Sequence, residues 1–284
     1  MKPAQFRYHA PKTVEETVAL LAEVAPQDGR VLAGGQSLVP TMAFRLARPT
    51  HLVDINGVET LKRLAVEDGK LCIGACVRHE AFSAPVVDGP LGKLLAKVVR
   101  HIAHYPIRTR GTFCGSIAHA DPASEWCAVA VALGAEMVAT SVNGTRVIPA
   151  HEFFAGIMTT TLADNELLRE VRLPLLPPDT KCGFYEFSRR AGDFAIAMAV
   201  ALYRLQAGEI SEPRIAVGGA EPHARRIAEA EQAIAGRAPS ADAFTAAAAR
   251  AAEVVDPMED AINTAEYRRD LVRAVTRRAL EQAA

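Results

Sequence analysis

Ala33-Gly34-Gly35-Gln36-Ser37 follows the apolar run Arg30-Val31-Leu32, which predicts a strand, and precedes Leu38 to Leu46, which predicts a short helix. A second stretch, Gly111-Thr112-Phe113-Cys114-Gly115-Ser116, offers similar chemistry. Glycine permits backbone conformations closed to other residues and lets a ligand approach the main chain, whose N–H groups bind phosphate. Neither stretch has the GxGxxG or GxxxxGK[ST] pattern, so neither a Rossmann fold nor a P-loop is supported. Each alone is typical of an ordinary turn, but together they indicate a dinucleotide site.

The flanks of these two loops resemble one protein family. Ala33 to Pro40, followed by Arg45 to Pro49 and Leu52-Val53-Asp54-Ile55-Asn56, is similar to the first FAD loop in the medium subunits of molybdenum hydroxylases, the carbon monoxide dehydrogenase and xanthine dehydrogenase flavoproteins. Ile107 to Pro122 resembles the second loop, and Arg189 to Ala195 resembles a third flavin-side segment. The order and spacing of the three segments, over almost the whole chain, favour the family over a chance match.

The resemblance implies an α+β fold with two parts. The first is a two-lobed FAD-binding domain of the PCMH type over residues 1–177, with lobes of about 1–56 and 57–177. The second is a C-terminal α+β domain, residues 178–284, with a small antiparallel sheet and helices. The proline-rich stretch Pro174-Leu175-Leu176-Pro177-Pro178 predicts the boundary, because proline cannot continue a strand ladder.

The resemblance also implies which residues hold the cofactor. In the family the two loops clamp the FAD pyrophosphate, and the matching residues here are Ala33, Gly34, Gly35, Gln36, Ser37, Leu38, Gly111, Thr112, Cys114, Gly115, Ser116 and Ala118. Cys114 stands where the family usually has glycine, so its side chain needs slightly more room and its thiol could lie near the cofactor. A β-branched residue in place of Gly35 or Gly115 should disfavour a positive φ and crowd the phosphate.

Four residues outside the loops complete the implied site. Glu125 occupies a position where the family commonly has an aspartate bonded to the ribityl chain; taken alone, it is typical of a solvated surface acid. Leu168 resembles the position that abuts the isoalloxazine. Glu186 falls where several relatives place a lysine, so a carboxylate there is expected to reverse the local charge. Asp193, with Phe194, matches the third segment, and an acid beside a core aromatic is an equally good interpretation.

Composition sets limits on the function. The chain has 284 residues, a net charge of −1 and no basic run interleaved with aromatics, which gives no reason to expect nucleic acid. It has no apolar run of transmembrane length, and its first residues lack the apolar core of a secretory signal, so a cytoplasmic location is expected. The five cysteines are scattered and odd in number, which favours reduced thiols.

Metal chemistry is not predicted for this chain. Cys72 and Cys76 share a strand-like run, but a zinc site needs four convergent ligands. No cysteine spacing resembles an iron-sulfur ligand pattern, so any cluster must belong to another chain. A helix is predicted for Leu91 to Ala103. His101 and His104 are close enough to share a helix face, and His119 and Asp121 follow, but a cationic surface beside the loop explains them better than a metal site.

Periodicity and turn residues predict the local structure. Thr13-Val14-Glu15-Glu16 is a capping box that opens a helix to about Val24. Predicted strands, with Asn143-Gly144 as a hairpin turn, cover 31–33, 52–55, 71–77, 136–142, 146–148, 182–188, 196–205 and 214–217. Gly236 ends one C-terminal helix, Ser240 begins another, and 264–284 forms the last.

The predicted function is that of an FAD-binding, electron-transferring subunit of a molybdenum hydroxylase. The resemblance implies a large partner subunit with the molybdenum pterin cofactor and a small one with iron-sulfur clusters, assembled as a dimer of heterotrimers. Electrons would pass from the clusters through FAD to an external acceptor. Two alternatives stay open here: a self-contained FAD-dependent oxidase or dehydrogenase, and a non-enzymatic assembly protein that has lost the cofactor.

Overall fold

The computed structural model describes residues 2–284, and its first lobe contains two helices and a small parallel sheet. The strands lie in the order β1-β3-β2. The elements are β1 (Arg7–His9), α1 (Val14–Val24), β2 (Gly29–Leu32), α2 (Leu38–Ala43) and β3 (His51–Asp54). The predicted cap is confirmed, because the Thr13 hydroxyl accepts the Glu16 N–H at 3.1 Å. In a capping box the Glu16 carboxylate would accept from the N–H of the cap residue, Thr13. Here it accepts from the N–H of the preceding residue, Lys12, at 2.7 Å.

The second lobe is organised around a five-stranded antiparallel sheet. Its order is β4-β5-β10-β6-β7, and a two-stranded hairpin, β8-β9, stands apart from it. The elements are β4 (Leu64–Glu67), β5 (Lys70–Gly74), α3 (Pro90–Val98), α4 (Tyr105–Arg108), α5 (Phe113–His119), α6 (Glu125–Leu133), β6 (Glu136–Ser141), β7 (Gly144–Pro149), α7 (Ala150–Phe153), β8 (Phe154–Gly156), β9 (Thr159–Thr160) and β10 (Leu167–Pro174). The Asn143-Gly144 turn joins β6 to β7 as predicted.

The predicted helix over Leu91 to Ala103 is too long. Helix α3 ends at Val98, and Ala103 has a left-handed backbone with φ of 43°. The Arg108 guanidinium donates to the carbonyls of Ile102 and Ala103 at 3.0 and 2.9 Å, so these groups are satisfied outside a helix. His101 and His104 therefore do not share a helix face, and that part of the prediction is wrong.

The C-terminal part is an antiparallel sheet covered by helices, as predicted. The strands lie in the order β11-β12-β13-β14. The elements are β11 (Lys181–Phe187), β12 (Ala197–Gln206), β13 (Glu209–Gly218), β14 (Arg225–Arg226), α8 (Ala228–Ile234), α9 (Ala241–Val254) and α10 (Ala265–Ala283). Ser240 and Thr264 cap α9 and α10 through their hydroxyls, which confirms both predicted starts.

Strand β12 lies between two hydrophobic cores. Met198, Val200 and Leu202 belong to the core of the N-terminal lobes, which contains Trp126. The alternate residues of the same strand belong to a second core beneath α9 and α10. Because successive side chains of a strand point to opposite faces, one strand contributes to both cores. The two parts of the molecule are thus joined through a buried sheet.

Among residues 2–284, no helix combines the length and the apolar composition needed to cross a membrane.

Candidate cofactor site

The two glycine loops meet through their backbones. A side chain on Gly34 would place its Cβ 2.5 Å from the carbonyl oxygen of Arg110 and 2.6 Å from the Cα of Gly111. Backbone atoms of the second loop leave no room for a Cβ, so only glycine allows this approach. The structure therefore brings together two segments that are more than seventy residues apart in the sequence.

The glycines of the two loops serve different purposes. Gly35 has a φ of 72°, a conformation that β-branched residues disfavour, as expected. Gly115 lies inside α5 without a positive φ, so that expectation is wrong for this residue. A Cβ on Gly115 would instead lie 2.5 Å from Thr112 Oγ1, which accepts the Gly115 N–H at 3.1 Å. The absence of a side chain protects this helix cap.

Several backbone N–H groups of the loops have no partner in the described chain. Those of Gly35, Gln36, Ser37 and Leu38 donate to no protein oxygen, and neither does that of Cys114. An unpaired backbone donor is costly unless water or a ligand accepts its bond. Grouped N–H donors on two touching loops are suited to a phosphate-bearing ligand.

Asn56 and Arg78 join the two loops. Asn56 Nδ2 donates to the Ala33 carbonyl at 2.8 Å, and Asn56 Oδ1 accepts from Arg78 at 2.5 Å. A second nitrogen of Arg78 donates to the carbonyl of Arg110 in the second loop. Asn56 lies in the quoted flank, but its role and that of Arg78 were not predicted from the sequence, because the contacts are long-range.

A buried histidine packs against the second loop and bonds its backbone. His79 is 6% exposed, its Nδ1 accepts from the indole N–H of Trp126 at 2.9 Å, and its backbone N–H donates to the Gly111 carbonyl at 2.9 Å. Burial, with the positive charges of Arg78 and Arg108, lowers the pKa of His79 to about 4. The ring is therefore neutral near pH 7, with its proton on Nε2. No local pattern in the sequence pointed to this residue.

The Cys114 side chain turns toward the core. The thiol is buried and lies 3.2 Å from the carbonyl oxygen of Ile73, and burial raises its pKa strongly. The thiol therefore faces Ile73 and the core, while the Cys114 backbone N–H stays on the loop. All five cysteines are free, and the described residues contain no group of three or more histidine, cysteine or acidic side chains that would hold a metal.

Glu125 and Glu186 lie against each other, which the sequence did not reveal. Glu125 is the first residue of α6 and is 8% exposed, so it is not the solvated acid that it resembles when taken alone. The Glu186 side chain, on β11, is 2% exposed and lies 3.9 Å from His101 Nδ1. Burial raises the pKa of both carboxyls, and the nearby charge of the partner adds to the effect on Glu186. Ser124, next to Glu125, bonds Ser116 of the second loop at 2.8 Å.

The remaining predicted residues are dispersed around the loops. Leu168 is buried in β10 opposite Ala139, next to a bulge. Ala118 is exposed on α5. Asp193 and Phe194 are exposed in the loop between β11 and β12 and line a cavity of about 450 Å³ together with the buried Arg268.

The third segment contacts the chain just before α4 through a glycine. A Cβ on Gly192 would lie 2.5 Å from the His104 ring, and His104 precedes α4 and the second glycine loop. The cavity at Asp193, however, is not lined by residues of either glycine loop. The two glycine loops therefore touch each other, whereas the third segment contacts His104 and lines a separate cavity.

Known proteins share this chain's two parts. The family described as the FAD binding domain in molybdopterin dehydrogenase matches residues 4–176. The CO dehydrogenase flavoprotein C-terminal domain matches residues 183–283. These matches define the class of the protein, an FAD-binding oxidoreductase chain.

Whole-chain relatives agree with both matches. The carbon monoxide dehydrogenase medium chain of Hydrogenophaga pseudoflava is 37% identical over 284 residues, covering 100% of this chain and 98% of its own length. The nicotine 6-hydroxylase medium subunit of Paenarthrobacter nicotinovorans is 37% identical, covering 100% and 99%.

Solved structures have the same fold. A chain of the carbon monoxide dehydrogenase of Hydrogenophaga pseudoflava superposes with a TM-score of 0.95 at 38% identity, covering 100% of this chain and 98% of that one. A chain of quinoline 2-oxidoreductase of Pseudomonas putida 86 gives 0.92 at 36%, with 100% and 98% covered. The chain belongs to the medium, FAD-binding subunits of the molybdenum hydroxylase family, so the predicted fold class and family are confirmed.

Proposed function

We propose that the two glycine loops clamp the pyrophosphate of FAD and that this chain passes electrons from a partner's iron-sulfur clusters to an external acceptor. The observation that carries this proposal is the contact of Gly34 with the backbone of Arg110 and Gly111. It gathers the unpaired N–H groups of both loops in one place, where they fit the negative charge of a pyrophosphate.

The residues present fit FAD in three ways. Gly34 lets the two loops touch, and Gly35 holds its left-handed backbone. The Thr112 hydroxyl caps α5, so all three residues shape the loops that present the free N–H groups. The Glu125 carboxylate would accept a ribityl hydroxyl. Leu168, Glu186 and Asp193 would lie on the side of the isoalloxazine. Bound FAD supplies the redox chemistry, and the chain binds it, orients it and adjusts its electrostatic surroundings.

The same family membership supports a proposed assembly. We place this chain between a large subunit with the molybdenum pterin cofactor and a small subunit with iron-sulfur clusters, as a dimer of heterotrimers in the cytoplasm. Five free cysteines are consistent with a reducing compartment. We also propose that the functional division of the chain lies at 177/178, within the segment between β10 and β11.

Cofactor extraction tests the clamp. Acid denaturation of the purified chain should release one non-covalent FAD per chain, which chromatography and absorbance will identify. Release of FMN, or of no flavin, would contradict the two-loop clamp, because FMN has no pyrophosphate for the loops to share.

Rapid-mixing absorbance tests the direction of electron flow. A chemical reductant should bleach the flavin of the isolated chain, whereas the organic substrate of the complex should not. In the complex, substrate should reduce the flavin together with or after the iron-sulfur clusters. Substrate-driven bleaching of the isolated chain would instead identify a self-contained flavoenzyme.

A further inference from the structure

The contact between Glu125 and Glu186 joins the two parts of the molecule. Glu125 opens α6, and Glu186 lies on β11 of the C-terminal sheet. Their side chains are within hydrogen-bonding reach of each other. Two carboxylates have no donor between them, so the contact is a hydrogen bond only when one of them carries a proton.

The surroundings supply no cation to neutralise two charges. Around the pair lie Asp121, which precedes α6, Cys127 on α6, and His101 in the turn after α3. Lys97 of α3 lies near His101 and does not act on either glutamate. The negative charge of Asp121 disfavours a second negative charge on the pair. Burial and then the charge of Lys97 lower the pKa of His101, so its ring is neutral near pH 7. Lys97 bonds Gln282 on α10.

The two carboxyls differ in how well they hold a negative charge. Glu125 is the first residue of α6, where the free N–H groups and the helix dipole favour an anion, and its own backbone N–H bonds its carboxylate. Glu186 Oε2 is buried and receives no hydrogen bond from any donor in the described chain. An unpaired buried carboxylate oxygen is costly, and protonation removes that cost.

We infer that Glu125 and Glu186 share one proton, held by Glu186 and donated to the Glu125 carboxylate, at the junction between the two parts of the chain. The pair then carries one negative charge instead of two. The Glu186 side chain itself is then uncharged, so at this position, where several relatives are expected to have a lysine, a positive charge is absent but no negative charge replaces it. The inference does not require bound FAD, although it leaves Glu125 the acceptor that the proposed function assigns to it.

Infrared spectroscopy on the full chain tests the shared proton. At about pH 6.5 the wild type should show a protonated-carboxyl carbonyl band that shifts when glutamate is labelled with ¹³C, and this shift separates it from flavin carbonyls. Glu186→Gln should remove the band, while Glu209→Gln, a change at an exposed acid on β13, should leave it. Absence of the labelled band from the wild type at that pH would overturn the inference. Measurements with and without FAD separate this result from a failure of cofactor binding.

The pH dependence of unfolding gives a second readout. The ordinary pKa of a glutamate is 4.5, and burial raises that of Glu186. Above that pH the unfolded chain loses a proton that the folded chain keeps, so stability falls as the pH rises until the folded carboxyl ionises. Between about pH 5 and pH 8.5 the wild-type folding constant should fall at least about tenfold relative to Glu186→Gln, since one unit of raised pKa corresponds to that factor.

Two further variants serve as the second test and the control for the pH dependence of unfolding. Glu125→Gln retains a hydrogen bond across the junction and should also flatten the pH dependence, which covers the case that Glu186→Gln does not fold. Glu209→Gln should retain the wild-type dependence. Equal pH dependence in the wild type and in every folded variant at positions 125 and 186 would overturn the inference.

Discussion

The Asn56 carboxamide oxygen accepts a 2.5 Å hydrogen bond from Arg78, and these two side chains connect the first glycine loop to the second. The connection matters because contacts from residues outside the loops fix the position of both. Asn56 follows β3, and Arg78 lies two residues beyond Cys76, so they come from different lobes. The geometry of the proposed clamp thus depends on a bond between the lobes.

Asn56→Ala should weaken FAD binding while the chain stays folded. The change removes the bonds to the Ala33 carbonyl and to Arg78, each worth on the order of 1 kcal/mol or more when a charged group takes part. Titration of the flavin-free chain should show about a tenfold or greater rise in the FAD dissociation constant. Gln206→Ala, which removes an exposed amide on β12, serves as the control; equal affinity in both variants would argue against the bridge.

Gly34→Ala should separate the two loops. Its Cβ would lie 2.5 Å from the Arg110 carbonyl oxygen, and backbone cannot turn aside as a flexible side chain does. FAD occupancy after purification should fall at least about tenfold with an unchanged circular dichroism spectrum. Gly156→Ala is the matched control, because nothing lies within 4 Å of the Cβ it adds. Wild-type occupancy in Gly34→Ala would contradict the assigned clamp.

Cys114→Gly should retain FAD and lose stability. The thiol faces the core and bonds the Ile73 carbonyl, so the variant leaves a small cavity and puts glycine inside α5. Denaturant unfolding should show a loss of about 1–3 kcal/mol. In the folded wild type the same thiol should resist alkylation, because burial raises its pKa. A variant that unfolds normally but has lost its flavin would show that this side chain does contribute to the site.

Acidification should destabilise the chain through His79. Its pKa is about 4 in the folded chain against an ordinary value of 6.5, so from pH 6.5 downward the unfolded state binds a proton that the folded state does not. Stability present above pH 6.5 is therefore lost as the pH falls toward 4, by up to about 3 kcal/mol.

The corresponding variant isolates this contribution. In His79→Gln the acid-dependent loss should shrink, as measured by denaturant unfolding at about pH 7 and pH 4.5. His151→Gln, at a side chain that is 75% exposed, should behave as the wild type does. Identical acid sensitivity in His79→Gln and the wild type would show that other groups account for the loss.

The elements predicted correctly from the sequence are those with local signals. Thr13, Ser240 and Thr264 each carry a hydroxyl that caps the helix after it, and Asn143-Gly144 forms its turn from two residues. The glycine loops were found because their composition is unusual. Family resemblance then connected three segments that propensity alone would have left unrelated.

What the sequence did not reveal depends on long-range contacts. The central strand β10 was not predicted, because Arg169, Glu170 and Arg172 interrupt its apolar residues. The roles of Arg78 and His79 depend on residues more than thirty positions away. The direction of the Cys114 thiol and the pairing of Glu125 with Glu186 likewise follow from how elements pack, which composition and periodicity do not specify.

Met198 of strand β12 faces one core and Ala199 faces the other, so the two parts of this subunit are expected to evolve together. A chimera that joins the first 177 residues to a relative's C-terminal portion would pair side chains that have not been selected together on both faces of that strand. Exchange of flavin-binding domains among such enzymes is therefore expected to succeed when α6, β12 and β13 come from the same parent protein. Recombination points that separate these three elements should be selected against.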